Sequence, residues 1–248
     1  FLSSKRMDPS QTWAKNSAGK KPERKKAEMT ADIGDNAAGT EEKTASCAAR
    51  KKELRKQILA HRNRLSKDEI TRKSAGILNI LYTLAVYQNA DIILAYVEYR
   101  SEVMTTPLIQ RALSEGKMIY VPKVSGTDMD FYRIESLSAL SEGYKGIKEP
   151  ESAAQMFTVN TGYDGRTADT DKTSRNILML MPGAVFDRAH HRIGYGMGFY
   201  DRYLERLQSS GITIHTAALC FACQMLDDIP YDRHDTCPEM IITEEKIF

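Results

Sequence analysis

Five short apolar runs constrain this chain more than any other feature. They are "DIILAYV" (91–97), "KMIYVPKV" (117–124), "NILMLMP" (176–182), "ITIHTAALCFA" (212–222) and "EMIIT" (239–243). "DIILAYV" and "NILMLMP" are continuous, the signature of strands covered on both faces. "MDFYRI" (129–134) supplies a further strand. Between the first two runs lies "TTPLIQRALSEG" (105–116), with a threonine cap, an early proline and a glycine stop: the marks of a helix. Strand, helix, strand implies a parallel sheet with crossover helices. The expected fold is therefore α/β, an open, mainly parallel sheet with helices on both faces, a Rossmann-like three-layer arrangement.

More helices frame these strands. "RKKELRKQILAHRNRL" (50–65) places Leu54, Ile58 and Leu65 at helical spacing. "SKDE" (66–69) is a capping box, and the helix it opens carries Ile70, Ile77, Leu81 and Leu84 on one side. "FYDRYLERLQSSG" (199–211) has Tyr203, Leu204 and Leu207 as its apolar side and ends at Gly211. Residues 1–48 sustain no apolar period and read as a disordered basic and polar tail. Within it "KKPERKK" (20–26) reads as a solvated charge run. Residues 49–248 read as a single domain, with a polar, turn-rich loop or insertion at 151–175.

The totals exclude several classes. The net charge is only +2, which suits a small anionic substrate better than nucleic acid. No apolar run approaches the roughly 20 residues that cross a bilayer, and "FLSSKRMDPSQ" lacks the hydrophobic centre of a signal peptide. Four cysteines in 248 residues do not make a disulfide framework. The expectation is a soluble cytoplasmic monomer with no membrane or nucleic-acid partner.

"RIGYGMGFYDRYL" (192–204) is the segment richest in chemistry. Its setting is strand, loop, glycines, helix. Glycines admit phosphate oxygens to the main chain and allow positive φ. The helix start beyond them offers unpartnered N–H groups and the positive end of a dipole. Arg192 and Arg202 add charge, so the segment is a candidate phosphate site. It is neither a P-loop nor the dinucleotide fingerprint, because no Lys-Ser/Thr follows and the spacing is GxGxG. Taken alone, such a turn serves a ligand-free helix start equally well. Asp201, in the first helical turn, is either a dipole partner or a Mg²⁺ ligand beside phosphates. Tyr195, Phe199 and Tyr200 either pack in the core or stack on a flat heterocycle.

"MPGAVFDRAHHRIGYGMGFYDRYL" (181–204) resembles the signature of the 5-formyltetrahydrofolate cyclo-ligase family, also called methenyltetrahydrofolate synthetase. "KKELR", "YRSEVMT", "MDFYRI" and "DDIPYDRHD" follow in the family's order, so the resemblance spans roughly residues 50–248. It implies ATP-dependent cyclisation of 5-formyltetrahydrofolate, with or without a polyglutamate tail, to 5,10-methenyltetrahydrofolate, with Mg²⁺. It implies ATP contacts from Lys51, Arg55, Arg192, Gly194, Tyr195, Gly196, Met197, Gly198, Phe199 and Tyr200. Lys51 and Arg55 also lie four apart on one helix face, so both reach the same anion. Folate contacts are implied for Val97, Glu102, Tyr195 and Phe199, catalytic roles for Arg192, Tyr200 and Asp201, and metal contacts for Asp201 and Asp235. Phe199 stands where many members have Tyr, and Met197 leaves no cation between the glycines. Two other readings keep the fold: a sugar-phosphate isomerase or CoA-transferase-like enzyme, and a non-catalytic nucleotide-binding module.

Three further signals carry less. "CFAC" (220–223) with His234 and Cys237 has zinc-like spacing, but side chains three apart on a strand face opposite ways. His190 and His191 belong to the loop before the glycines. His215, in an apolar run, reads as a core histidine.

Overall fold

The computed structural model describes residues 36–151, 154–158, 175–209, 212–232 and 235–248. In chain order it contains α1 (Asn36–Arg62), α2 (Lys67–Thr83), α3 (Ala85–Gln88), β1 (Ile92–Leu94), α4 (Thr106–Ser114), β2 (Met118–Ser125) and β3 (Asp128–Ile134). There follow β4 (Leu140–Glu142), β5 (Lys148–Pro150), β6 (Ile177–Met181), β7 (Val185–Asp187), β8 (Arg192–Ile193) and α5 (Phe199–Ser209). β9 (His215–Leu219), β10 (Met225–Leu226) and β11 (Met240–Ile242) complete the order. The 20–26 charge run, Gly211, His234 and most of the 151–175 segment lie outside the described residues.

The main sheet has six strands in the order β11-β9-β6-β1-β2-β3. Every neighbouring pair is parallel except β2 and β3, which form a hairpin around Gly126 at φ 61°. Side chains alternate across this sheet with period two. Ile93, Ile119, Leu178 and Leu180 join Ile77 and Leu81 of α2 and Leu108 and Ile109 of α4 in one core. Ile92, Leu94, Met179 and Met181 join Tyr203, Leu204 and Leu207 of α5 in another. The central strands are thus buried on both faces, as their unbroken apolar runs require. Each such Leu or Ile contributes roughly 1.5–3 kcal/mol by burial. Leu54, Ile58 and Leu59 of α1 pack on a third cluster, Ala184, Val185, Ile193 and Ile229.

The capping box at Ser66 forms: its hydroxyl accepts from the Glu69 amide, and the Glu69 carboxylate accepts from the Ser66 amide. Other local details depart from expectation. Helix α1 starts at Asn36 rather than near Arg50, because "TEEKTASCAARKKELRK" is rich in strong helix formers. Thr105 does not cap α4 with its own side chain. Glu98 does so instead, accepting from the amides of Thr105 at 3.1 Å and Thr106 at 2.9 Å. The run 91–97 is ladder only to Leu94. Ala95 still donates its amide to the Tyr120 carbonyl at 2.9 Å, and beyond it Tyr96 and Val97 stay buried but leave the sheet at its carboxyl edge. Likewise β9 stops at Leu219, so Cys223 sits on a short 3-10 turn and not on a strand. His215 is not a core histidine. It is partly exposed, and its Nδ1 lies 2.9 Å from the Glu239 carboxylate.

β1 lies between β2 and β6, and the helices that follow β1 and β6, α4 and α5 respectively, pack on opposite faces of the sheet. Clefts in open α/β sheets form at such a switch point. A cavity opens there, lined by Tyr96 and Val97 beyond β1, Pro122 and Val124 of β2, and Pro182 beyond β6.

Candidate active site

The cavity has a volume of about 510 Å³. It brings to one place every residue to which the family resemblance assigns a role, but not Arg202. Lys51, Arg55, Val97, Glu102, Arg192, the run Gly194–Asp201 and Asp235 all line it.

Its cationic side is built from α1 and the glycine turn. The third core cluster fixes α1 so that Arg55 Nε donates to the Gly194 carbonyl at 2.7 Å. A Cβ on Gly196 would stand 3.5 Å from the same guanidinium, and Gly196 itself has φ 94°. Gly198, at φ 63°, turns the chain into α5. Both conformations come without steric cost to glycine and are strained for most other residues. Burial lowers the Arg55 pKa from its usual value, so an anion is favoured as its counter-charge. Lys51, one turn earlier, is ion-paired with Asp235 and lies 3.6 Å from Asp232. Burial alone would lower its pKa, but the two carboxylates outweigh that and raise it.

Arg192 is 5% exposed. Its guanidinium donates to Asp201 Oδ1 at 2.6 Å and to the Pro182 carbonyl at 3.2 Å. Its Nε has no partner among the described residues. Asp201 Oδ1 also accepts the Thr236 amide at 3.1 Å. Asp235 Oδ2 accepts from Lys51 and from the Asp232 amide. Among the described residues no three His, Cys, Asp or Glu side chains converge on a metal position. Arg202, expected to add charge here, instead donates to the carbonyls of Met197 at 2.9 Å and Thr127 at 2.6 Å. It ties the glycine turn to the β2–β3 hairpin.

The other side is aromatic and carries a buried carboxylate. Glu102 is 7% exposed and accepts the Tyr99 amide at 2.9 Å and the Tyr195 hydroxyl. Burial pushes its pKa up, while the Tyr195 hydrogen bond and the Arg62 charge hold it down in part. Tyr195 shows its ring to the cavity, yet burial of its hydroxyl beside Glu102 pushes the phenol well up. Phe199 meets Tyr144 edge-on at 6.3 Å, and Tyr200 meets Phe131 edge-on at 6.2 Å.

Two elements escaped the sequence reading. Arg62, at the end of α1, is 4% exposed and donates to the Tyr195 hydroxyl at 2.8 Å and the Ser101 hydroxyl at 3.1 Å. In a run already full of cations, nothing marks it as buried. Asp187, 1% exposed, accepts the amides of Ala189 and His191 at 2.9 Å each and pairs with His191 Nδ1 at 2.8 Å. It shapes the turn that delivers Arg192, in which His190 takes φ 68°.

Fold and cavity together define the class: a mainly parallel α/β protein whose cavity joins an arginine-gripped glycine turn to an aromatic, carboxylate-bearing wall. Residues 47–244 match the 5-formyltetrahydrofolate cyclo-ligase family, and the chain belongs to that family. The 5-formyltetrahydrofolate cyclo-ligase of Mus musculus is 28% identical over 202 residues, 79% of this chain and 94% of the mouse protein. The mitochondrial 5-formyltetrahydrofolate cyclo-ligase of Arabidopsis thaliana is 25% identical over 189 residues, 70% of this chain and 66% of that protein. The NMR structure of Aquifex aeolicus 5,10-methenyltetrahydrofolate synthetase matches with a TM-score of 0.65 at 28% identity, covering 79% of this chain and 91% of that one. No helix among the described residues is long and apolar enough to cross a membrane.

Proposed function

We propose that the chain closes 5-formyltetrahydrofolate into 5,10-methenyltetrahydrofolate with ATP, releasing ADP and phosphate at the cavity described above. One observation carries the reading: an arginine-gripped glycine turn and a buried, partly satisfied carboxylate line the same cavity. The first suits a triphosphate, the second the N–H edge of a pterin.

The chemistry explains why both are needed. A formamide oxygen is a poor leaving group. Its attack on the γ-phosphorus breaks the bond to ADP and makes the formyl carbon electrophilic. N10 then attacks that carbon, loses its proton, and the C–O bond breaks to release phosphate. Phosphoryl transfer asks the protein for alignment and charge neutralisation rather than a covalent nucleophile. Alignment of two substrates supplies up to roughly 7–11 kcal/mol.

Lys51, Arg55, Arg192 and the amides from Gly194 to Tyr200 meet the phosphates in this scheme. Tyr200 lies under Arg192, whose guanidinium carbon is 6.0 Å from its ring, and holds it in place. Val97, Tyr195 and Phe199 wall the heterocycle. A carboxylate has about four acceptor sites, and Glu102 spends two on Tyr99 and Tyr195, leaving two for the pterin. Asp201 fits Mg²⁺: one of its oxygens is engaged, and a hard cation beside phosphates needs only one or two protein carboxylates. The ion, when bound, neutralises charge on the β- and γ-phosphates. Asp235 is a second carboxylate on the same rim. The cytoplasm and a monomer remain part of the proposal, although the Arabidopsis relative is a mitochondrial form.

The test is the absorbance of methenyltetrahydrofolate, which should rise only when ATP and 5-formyltetrahydrofolate are both supplied. Asp201→Asn should remove that rise while leaving the circular dichroism unchanged. A rise without ATP, or none with both substrates, refutes the reading.

A further inference from the structure

We infer that Arg62 is a positioning residue for the folate half of the site, fixing the Tyr195 ring as a platform for a flat heterocycle and keeping Glu102 as an acceptor. The inference rests on the proposed reaction for the identity of the heterocycle, but not for the geometry.

The Tyr195 side chain is divided. Its ring belongs to a residue 41% exposed, rimming the cavity, while its hydroxyl is held between Arg62 and Glu102. The hydroxyl accepts from Arg62 at 2.8 Å and donates to Glu102. A phenol held from both sides cannot swing about its χ angles, so the ring face is set before any ligand arrives. Preorganisation of this kind improves binding because less freedom is lost on association. The Arg62 guanidinium lies 5.9 Å from the Tyr195 ring centroid, which adds a cation–π contact.

Arg62 is itself locked. Its Nε donates to the Ser101 hydroxyl at 3.1 Å, and that hydroxyl donates to the Asn63 side chain. Ser101 precedes Glu102, so the two bonds fasten the end of α1 to both the glycine turn and the carboxylate loop. A planar fork of donors is required. Lysine, with one ammonium, cannot reproduce it.

The charge has a second effect. Glu102 is faced by Tyr195 and Tyr200 from the glycine turn and α5, by Tyr96 and Glu98 from the segment after β1, and by Arg62 from α1. Among the largest electrostatic influences on it, Arg62 is a cation that holds its pKa down and Glu98 opposes that. With Arg62 gone, burial and Glu98 act with less opposition, and Glu102 protonates at higher pH. A protonated Glu102 loses an acceptor for a pterin N–H.

Arg62→Gln and Tyr195→Phe test this, with thermal unfolding run alongside. Both variants should raise the KM for 5-formyltetrahydrofolate about tenfold, the scale of a lost hydrogen bond to a charged group. The KM for ATP should stay within about twofold by the same logic. The acid limb of kcat/KM should move to higher pH in Arg62→Gln, and Arg62→Lys should restore the limb more than the KM. Calorimetric titration with 5-formyltetrahydrofolate alone separates this inference from the reaction. A parent that binds folate without turning over, with binding weakened in Arg62→Gln, upholds the inference and refutes the reaction. A parent that turns over, with a folded Arg62→Gln showing unchanged folate KM and an unmoved acid limb, overturns the inference alone. A rise in both Michaelis constants together with a lowered melting temperature, reproduced by no effect in Tyr195→Phe, also overturns it and leaves Arg62 as a fold residue.

Discussion

At the scale of single residues, Glu102 shows how the site works against the fold. Its pKa is raised from the usual 4.5 because burial disfavours the charged form. A carboxyl raised in the folded state binds protons more readily there than when unfolded. Its contribution to stability is therefore present at low pH and lost as pH climbs through the folded value. Whenever it is ionised, buried Glu102 is a cost to the fold. Glu102→Gln should accordingly melt at the parent temperature or above it near pH 7, while the KM for folate rises. The parent's activity should fall on acidification with a limb above pH 4.5, and that limb should vanish in the variant. Melting curves and pH profiles of the two proteins check both statements. A destabilised variant with the limb intact would remove Glu102 from the folate wall.

At the scale of elements, the glycine turn and α5 act as one device. The turn must lie flat against Arg55 and then enter the helix, and it does so with left-handed φ at Gly196 and Gly198. A left-handed conformation costs an ordinary residue roughly 1–2 kcal/mol. At Gly198 a Cβ would also stand 2.9 Å from the Arg202 guanidinium, which ties the turn to Thr127. Gly198→Ala should therefore lower stability by about 1 kcal/mol and raise the KM for ATP several-fold. The KM for folate should change less, because Tyr195 is held separately by Arg62 and Glu102. Parallel kinetics with each substrate varied in turn would expose an equal loss in both, which would mean that the turn does not bear specifically on the nucleotide.

At the scale of the whole molecule, α1 is an arm that the α/β layers must hold. It contributes no strand and no crossover, yet it carries Lys51, Arg55 and Arg62 into the cavity region. Leu54, Ile58 and Leu59 fasten it to the cluster under β7 and β8. Ile58→Asp should loosen that contact, because a charge placed in an apolar seam must stay hydrated. The expected outcome is a large rise in the KM for ATP and faster proteolysis within 41–65, with the sheet's circular dichroism retained. Resistance to proteolysis equal to the parent's would show that the seam is not what seats α1.

The sequence by itself determined the layers and the ingredients. Unbroken apolar runs specify central strands, since no polar face is left for solvent. The Ser66 box specifies a helix start through bonds three residues apart. The glycine spacing specifies a turn that glycine makes at least cost. These are local rules, each read within a few residues. What the tertiary structure decided is which charge meets which. Arg202 departs to bind Thr127, His215 leaves the core for Glu239, and a capping carboxylate from Glu98 replaces the Thr105 hydroxyl. Arg62 meets Tyr195 across 133 positions, and Tyr195 meets Glu102 across 93. One buried cation among the many of α1 cannot be told from its neighbours by pattern. Its burial is set by how the end of the helix seats against two distant loops, and that packing exists only in the folded chain.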